Sequence, residues 1–351
     1  MKSRPTIGIL VSNKVARKGI LEIYQGYHWL DIRLFAFTGS GVNWKKRSIR
    51  GLGYKDGQLT EAEYPFPDAV YSRLYNKRKN IILRLEKQIG SRCFNVVSFL
   101  NKWEVYNILN NTPLGNHLPE TFIYNEVRAT ELLEKHRLLY LKACYGNKGS
   151  QVYRIELFNN GEVEIAAQSL TSKKSHTSIQ TRLDEIVGSK RFILQKGIRL
   201  SQINKQPYDI RVLVQKGISG LWQASTIACR LSFKYFSNTS SFKSIYDAEA
   251  LFAKHFPGDA KYSALLQSAG ELSIYVADVL ESEMGLLGEI GVDFGVDQEG
   301  KLWIIEVNGK PQKSMFLRIA DFKEEKLVYS RPLEFAYYLA KAYGRGIRML
   351  H

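Results

Sequence analysis

Three oxygen-bearing side chains, Asp293, Glu306 and Asn308, sit within one stretch that reads GEIGVDFGVDQEGKLWIIEVNGKP from Gly288. Two β-rich runs flank Asp297-Gln298-Glu299-Gly300, a polar turn ending in glycine, so the stretch is expected to fold as a β-hairpin. With Asp297 paired to Gly300, Asp293 falls opposite Ile304. Glu306 is then its diagonal neighbour, and Asn308 lies two residues further along that face. Diagonal partners are about 7–8 Å apart at the backbone, a span that inward-leaning oxygens can close around a metal. Oxygen donors without His or Cys suit Mg2+, a hard cation that usually completes its shell with water and phosphate oxygens. Ile290, Val292, Phe294 and Val296 would line the opposite face and pack in a core. The alternative is an amphipathic hairpin whose acids face solvent. Against it, Glu306 and Asn308 alternate with Ile305 and Val307 and stop just before a Gly309-Lys310-Pro311 break.

Cationic side chains upstream stand at the ends of elements, where they can meet an anion. Residues 101–109 read as a short helix capped by Ser98 or Asn101, with Lys102 in its first turn. The helix dipole disfavours a cation there, which hints at a job such as meeting a phosphate, although an exposed Lys in a first turn is common. Lys142 ends the apolar strand Leu138–Lys142, and a second strand runs Gln151–Ile155. Gly146, Lys148, Gly149 and Ser150 belong to the loop between them, whose backbone N–H groups can close over phosphates. No G-x-x-x-x-G-K-[ST] occurs and no helix follows, so this is not a Walker A motif; taken alone it reads as a plain flexible hairpin. The apolar run Phe192–Ile198 ends in a polar step at Gln195 and Lys196, and its backbone could hydrogen-bond the edge of a flat heterocycle. Asp209 and Arg211 share one face of a strand beginning at Pro207, and Arg230 ends the neighbouring one. Two such arginines make a clamp for phosphate or carboxylate, or serve as ordinary ion-pair partners.

The elements that must position these groups are an α/β mixture. Strands are expected at Ile7–Ser12, Leu34–Phe37 and 69–71, with a solvent-exposed loop after Gly39-Ser40-Gly41. Helices are expected at 129–136, at Tyr262–Glu281 with Leu265, Ala269, Leu272, Val276 and Leu280 on one stripe, and from Pro332 to Gly344. The 351 residues suffice for two or three domains, and 44% hydrophobic with 24% charged content fits a soluble globular chain. No apolar run approaches a membrane span or a signal peptide, which points to the cytoplasm. Cys93, Cys144 and Cys229 are scattered, so neither a disulfide framework nor a Cys-based metal site is expected. A net charge of +16 favours polyanionic partners, yet no nucleic-acid-binding motif appears and the basic clusters lie far apart.

The order of these pieces is informative: a helix-start Lys, a strand Lys with a Gly-rich loop, a strand with a polar end, a D-I-R strand, Arg230, then a D…E-x-N hairpin. Over residues 96–345 the chain resembles the ATP-grasp superfamily, whose two α+β subdomains hold ATP between them. Pro67-Asp68-Ala69-Val70-Tyr71, Phe94-Asn95, Lys102-Trp103-Glu104 and Leu118-Pro119-Glu120-Thr121 make it most similar to the endospore coat-associated YheC/YheD family. The resemblance implies an N-terminal α/β domain over residues 1–95, a small or lid subdomain over 96–190, and a large subdomain with the metal site over 191–351. Lys102 and Lys142 would contact ATP phosphates, with Gly146–Ser150 as the mobile loop over them. Gln195, Lys196 and Ile198 would form the hinge that reads adenine, and Asp209 is grouped with the nucleotide contacts. Arg211 and Arg230 would face the γ-phosphate and the acyl phosphate. Asp293, Glu306 and Asn308 would hold Mg2+, or Mn2+ in its place. The hinge often carries an acid where this chain has Gln195. The implied activity is ATP-dependent joining of a carboxylate to an amine, in the mother-cell cytoplasm or spore coat among coat proteins, and the basic surface would recruit an acidic acceptor such as a peptide or protein tail. The alternative is a coat structural protein that keeps the nucleotide-binding fold without catalysis.

Overall fold

The computed structural model describes residues 4–75, 80–146, 151–167, 170–175, 179–232 and 242–342. Its first stretch contains β1 (Thr6–Leu10), α1 (Ala16–Tyr27), β2 (Arg33–Phe37), β3 (Val42–Asn43), β4 (Ser48–Lys55), β5 (Gln58–Pro65), β6 (Ala69–Ser72), α2 (Asn80–Ile89) and β7 (Cys93–Phe94). These strands form a sheet in the order β3-β4-β2-β1-β6-β7, with β5 on β4. Its centre, β2-β1-β6-β7, is parallel and apolar on both faces, as strands covered from two sides must be. The expected strands here are β1, β2 and β6. The β4–β5 hairpin was not expected. Lys45, Lys46 and Arg47 do turn in solvent, but from Ser48 the chain pairs with β5 along its whole length. The inward positions of β4 are Ile49, Gly51 and Gly53, so glycine hides the alternating pattern. Those glycines are required: a Cβ on Gly51 would stand 2.6 Å from the Phe35 ring, and one on Gly53 would stand 2.3 Å from the Tyr64 hydroxyl.

The second stretch holds α3 (Lys102–Asn110), β8 (Thr121–Ile123), α4 (Ala129–His136), β9 (Leu138–Ala143), β10 (Val152–Leu157), β11 (Glu162–Ala167), β12 (Leu170–Ser175), α5 (Ile179–Val187) and β13 (Phe192–Lys196). It builds an antiparallel sheet ordered β12-β11-β10-β9-β13-β8. Leu133 of α4 and Ile179, Leu183 and Val187 of α5 pack on Leu139, Leu141, Ile155 and Leu194. The third stretch holds β14 (Gln202–Ile203), β15 (Gln206–Lys216), β16 (Trp222–Ser232), β17 (Phe242–Asp247), α6 (Ala248–His255), α7 (Ala260–Met284), β18 (Glu289–Val296), β19 (Leu302–Asn308) and α8 (Glu325–Ala342). Its antiparallel sheet runs β17-β16-β15-β18-β19, with β14 on β15. The stripe expected on α7 is buried at Leu265, Ala269, Val276 and Leu280, against Val212, Ile290, Val292 and Phe294. The opposite face of this sheet meets α8, which also packs on α1 and the first sheet through Leu333, Phe335 and Ala336.

Two expectations need correction. Helix α8 starts at Glu325, two turns before Pro332, and Pro332 lies inside it. A proline cannot donate to the carbonyl four residues back, which normally ends a helix. Here the Gln215 Nε2 donates to that carbonyl, Val328 O, at 2.9 Å, so the helix continues through the gap. The β18–β19 register also differs. The turn is one residue longer than expected, with Asp297 N–H on Lys301 O and Gly300 at φ +84. That change alone would have put Glu306 on the core face. A bulge between Asp293 and Phe294 reverses it, because Phe294 pairs with Ile304 and Asp293 with Glu306, leaving Ile305 as the extra residue. Asp293 and Glu306 are therefore direct partners, not diagonal ones, and Asn308 is opposite Gly291.

Candidate active site

Helix α3 begins with Asn101, whose side-chain oxygen accepts from the N–H groups of Trp103 (2.9 Å) and Glu104 (3.3 Å). This cap aims the first turn at β19, and Lys102 Nζ lies 3.0 Å from Glu306 Oε1. The cation that opposes the helix dipole is thus paired with a carboxylate across the site.

Strand β9 carries Lys142 into the same region from the second sheet. Its ammonium is buried and donates to Gln195 Oε1 at 2.6 Å. The Gln195 Nε2 donates in turn to Thr121 Oγ1 at 3.0 Å, and Thr121 Oγ1 donates to Pro119 O at 2.8 Å. Gln195 therefore holds Lys142 with its side chain. Burial pulls the Lys142 pKa down to about 8; nearby Glu306 pushes it up and Lys102 pushes it further down. At the end of β13, the Lys196 and Gly197 N–H groups are taken by Glu120 O and Leu138 O, each at 2.8 Å. Ile198 is buried and lies beyond the last paired position of β13. Lys102, Lys142, Gln195 and Glu306 line a narrow crevice whose apolar walls include Leu100 and Ile193.

Beyond Lys102 and Glu306 the crevice meets a wider cavity of about 750 Å³, also lined by Gly146, Arg211, Arg230 and Asn308. Asp293 stands behind its wall, fully buried in the centre of β18. The guanidinium of Arg211 forks onto both Asp293 oxygens. Gly291 lies on the same face, where a Cβ would crowd Pro311 Cβ at 3.2 Å. Arg230 Nε donates to Asp209 Oδ1 at 2.6 Å, and its NH2 is 3.1 Å from Asp293 Oδ1, a charge contact and not an aligned hydrogen bond. Burial works against the charge on Arg230, but Asp209 and Asp293 more than compensate and raise its pKa. Burial likewise raises both carboxyls. For Asp293 the two arginines outweigh it and hold the pKa below the usual range, whereas Asp209 is left at about 6.

Asp209 thus differs from its expected grouping with the nucleotide contacts. It is buried, and its carboxylate holds Arg230. Lys148, Gly149 and Ser150 lie outside the described residues. Arg73, Phe242, Lys310 and Arg318 also line the wide cavity and were not singled out from the sequence. One signal could have found Arg73: it directly follows β6, and ligands of parallel sheets gather at the carboxyl ends of strands.

The donor set near β18 and β19 is all oxygen: two carboxylates and the amide of Asn308, whose Nδ2 donates to Asp293 Oδ2 at 3.4 Å. Among the described residues no group of three or more His, Cys, Asp or Glu side chains that could hold a metal ion occurs. Such hard donors fit Mg2+. Each carboxylate is at present balanced by a cation, Asp293 by Arg211 and Glu306 by Lys102.

Residues 90–339 match the family model described as YheC/D-like ATP-grasp. Over 330 residues the chain is 27% identical to the endospore coat-associated protein YheD of Bacillus subtilis, covering 88% of this chain and 70% of that protein. The carboxyaminoimidazole ribonucleotide synthase of Aspergillus clavatus, solved with ATP, superposes with a TM-score of 0.57 at 12% identity, over 95% of this chain and 77% of that one. A D-alanine–D-alanine ligase from Bacillus anthracis gives 0.56 at 13% identity, over 98% and 99%. Identities this low show a shared fold and nothing more. Among the described residues no helix is long and apolar enough to cross a membrane.

Proposed function

The chain belongs to the YheC/D-like ATP-grasp family, and from that premise we propose that it is an ATP- and Mg2+-dependent carboxylate–amine ligase working through an acyl phosphate. The observation that carries this reading is the interlocking of Asp293, Glu306 and Asn308 with Lys102, Arg211 and Arg230 at one cavity that continues into the Lys142 crevice. In this reading adenine is read at the hinge of Gln195, Lys196 and Ile198. Lys102 and Lys142 meet the phosphates, with the loop of Gly146, Lys148, Gly149 and Ser150 over them. Asp293, Glu306 and Asn308 would hold Mg2+, which when bound neutralises triphosphate charge.

An oxygen of the acceptor carboxylate attacks the γ-phosphorus, and the bond from that phosphorus to the β–γ bridging oxygen breaks to release ADP. The amine nitrogen then attacks the acyl carbon. The phosphate leaves with the electron pair of the C–O bond, and the nitrogen gives its proton to solvent. Neither step needs a strong general base, in keeping with a cavity lined, among the described residues, by Arg and Lys without His or Cys. Asp209 keeps the Arg230 guanidinium charged and fixed beside the γ-phosphate position. The reaction takes place in the mother-cell cytoplasm or on the coat, with an acidic peptide or protein as acceptor.

The test is to incubate the protein with Mg-ATP and fractions of cell extract, following ADP and the masses of small and peptide products. ADP release together with a mass gain matching a new amide supports a ligase. The coat-associated name of the B. subtilis relative favours a second reading, a structural coat protein that only binds nucleotide. Thermal stabilisation by Mg-ATP without any ADP would support that one.

The low pKa of Lys142 gives an independent check. Its ammonium is charged below about pH 8 and neutral above, so affinity for Mg-ATP is expected to fall roughly tenfold per pH unit above 8. Gln195→Glu puts a carboxylate beside the ammonium and should move that fall to higher pH, while Lys142→Met should flatten it. Calorimetric titration between pH 7 and 9.5 reads all three. A profile unchanged in both variants would mean that Lys142 does not touch the phosphates.

A further inference from the structure

We propose that Arg73 and Lys310, with Arg318 at the rim, form a second anion subsite, and that the acceptor therefore carries another anionic group besides the carboxylate to be phosphorylated. The proposal rests on the ligase reading above and names the class of acceptor: a dicarboxylate, or a carboxylate bearing a phosphate.

The charge pattern of the wide cavity carries the argument. Among the described residues its wall presents Arg73, Lys102, Arg211, Arg230, Lys310 and Arg318 against a single lining carboxylate, Glu306. Lys102 is balanced by Glu306, and Arg211 and Arg230 by Asp293 and Asp209. No such balance exists on the other side. Arg73 reaches Glu289 at 2.9 Å, but Lys313 reaches the same carboxylate at 2.7 Å, so one buried acid serves a buried lysine and a half-buried arginine. The Arg73 Nε is itself buried and has no hydrogen-bond partner among the described residues, although buried guanidinium donors are ordinarily satisfied. Lys310 Nζ donates to the Arg73 backbone carbonyl at 2.7 Å, and burial together with the nearby Arg73 charge lowers its pKa to about 8. Arg318 stacks on the Phe242 ring, 4.6 Å from its centroid, and has no acidic partner among the described residues.

Position separates this group from the proposed phosphate site. The crevice with Lys142 and Gln195 opens into the cavity at Lys102 and Glu306. Arg73 comes instead from the end of β6 in the first sheet, Lys310 from the break after β19, and Arg318 from the short 3-10 turn Lys313–Arg318. Arg73 also precedes residue 90, where the family match begins. Cations that outnumber the acids beside them in a partly desolvated cavity are stabilised by an anionic ligand, and charge-assisted bonds to a carboxylate or phosphate are the strong ones available.

The experiment is calorimetric titration of the full chain, saturated with Mg-ADP, with α,ω-dicarboxylates from succinate to pimelate, matched monocarboxylates, and 3-phosphonopropionate. At least one dianion is expected to bind roughly tenfold or more tightly than its monocarboxylate. Which of the two dianion types does so identifies the second group. Lys310→Met and Arg73→Met should each remove that preference while leaving Mg-ADP affinity within about threefold. Lys310→Met carries the test if Arg73→Met, which disturbs Glu289, fails to fold. Equal binding of mono- and dianions overturns the subsite, and so does a large loss of Mg-ADP affinity in Lys310→Met, which would make Lys310 a phosphate ligand. Failure of the unaltered protein to bind Mg-ADP at all overturns the ATP-grasp reading first, and this one with it.

Discussion

Glu306→Gln is expected to lower Mg-ATP-dependent ADP release by on the order of 100-fold or more while leaving the fold intact. Its side chain is 20% exposed and pairs with Lys102, 15% exposed, and the amide keeps the shape and an oxygen acceptor for that lysine, so the stability loss should be smaller than the catalytic one. The functional loss has two sources. A hard anionic oxygen disappears from the proposed Mg2+ site, and Lys102 loses the charged partner that aims it across the site. Asp293 is a poorer place for the same test, because it fastens Arg211 and Arg230 in the interior and its removal would disturb two guanidiniums at once. The measurement is a coupled ADP assay beside a denaturant melt. Turnover within about threefold of the unaltered protein, at equal stability, would remove Glu306 from the catalytic site.

The largest stability effect is expected at Glu289. This carboxylate is completely buried on β18 and receives Lys313 Nζ, Arg73 NH1, the Tyr71 hydroxyl and Gln215 Nε2, while Asn95 Oδ1 accepts from the Gly288 and Glu289 N–H groups. Tyr24 of α1 also accepts from Lys313, at 2.7 Å, so the cluster ties the first sheet and its helix to the third sheet. Glu289→Leu strands buried Lys313 and half-buried Arg73, and breaking such a buried pair from one side costs about 3–5 kcal/mol. Glu289→Gln keeps the shape and part of the hydrogen bonding, so its loss should be smaller. The pH dependence follows. Burial raises the Glu289 carboxyl, but Lys313 and Arg73 outweigh it and hold the pKa at about 2, below the 4.5 of an unperturbed glutamate. A group whose folded pKa is depressed stabilises the fold above its unfolded pKa. That contribution is full above about pH 4.5 and is lost progressively as pH falls toward 2. Urea denaturation from pH 7 down to 3 should show the unaltered protein losing stability faster than Glu289→Gln. Parallel curves would mean that the charge on Glu289 does not hold the sheets together.

Much of the fold was legible because local patterns coincide with it. The stripe of α7, the alternation in β18, the cap at Asn101 and the short apolar runs of β1, β2 and β6 are set by side-chain periodicity and turn chemistry, which act over a few residues. The β4–β5 hairpin escaped because its inward positions are glycines, chosen to clear Phe35 and Tyr64 from distant strands. The start of α8 escaped because the group that satisfies Val328, Gln215, is 113 residues away.

The sequence alone determined which chemistry is available: oxygen ligands at 293, 306 and 308, cations at 102, 142, 211 and 230, and the order that places the chain in its family. Only the tertiary structure decided who meets whom. The bulge that seats Glu306 opposite Asp293, the use of Gln195 as a support for Lys142, the capture of Asp209 by Arg230, and the meeting of Arg73 with Lys310 all arise between segments remote in the chain. The physical reason is that propensity and periodicity fix a side chain's direction relative to its own strand or helix. Burial of charge, by contrast, is settled by which partners other elements bring within hydrogen-bonding distance.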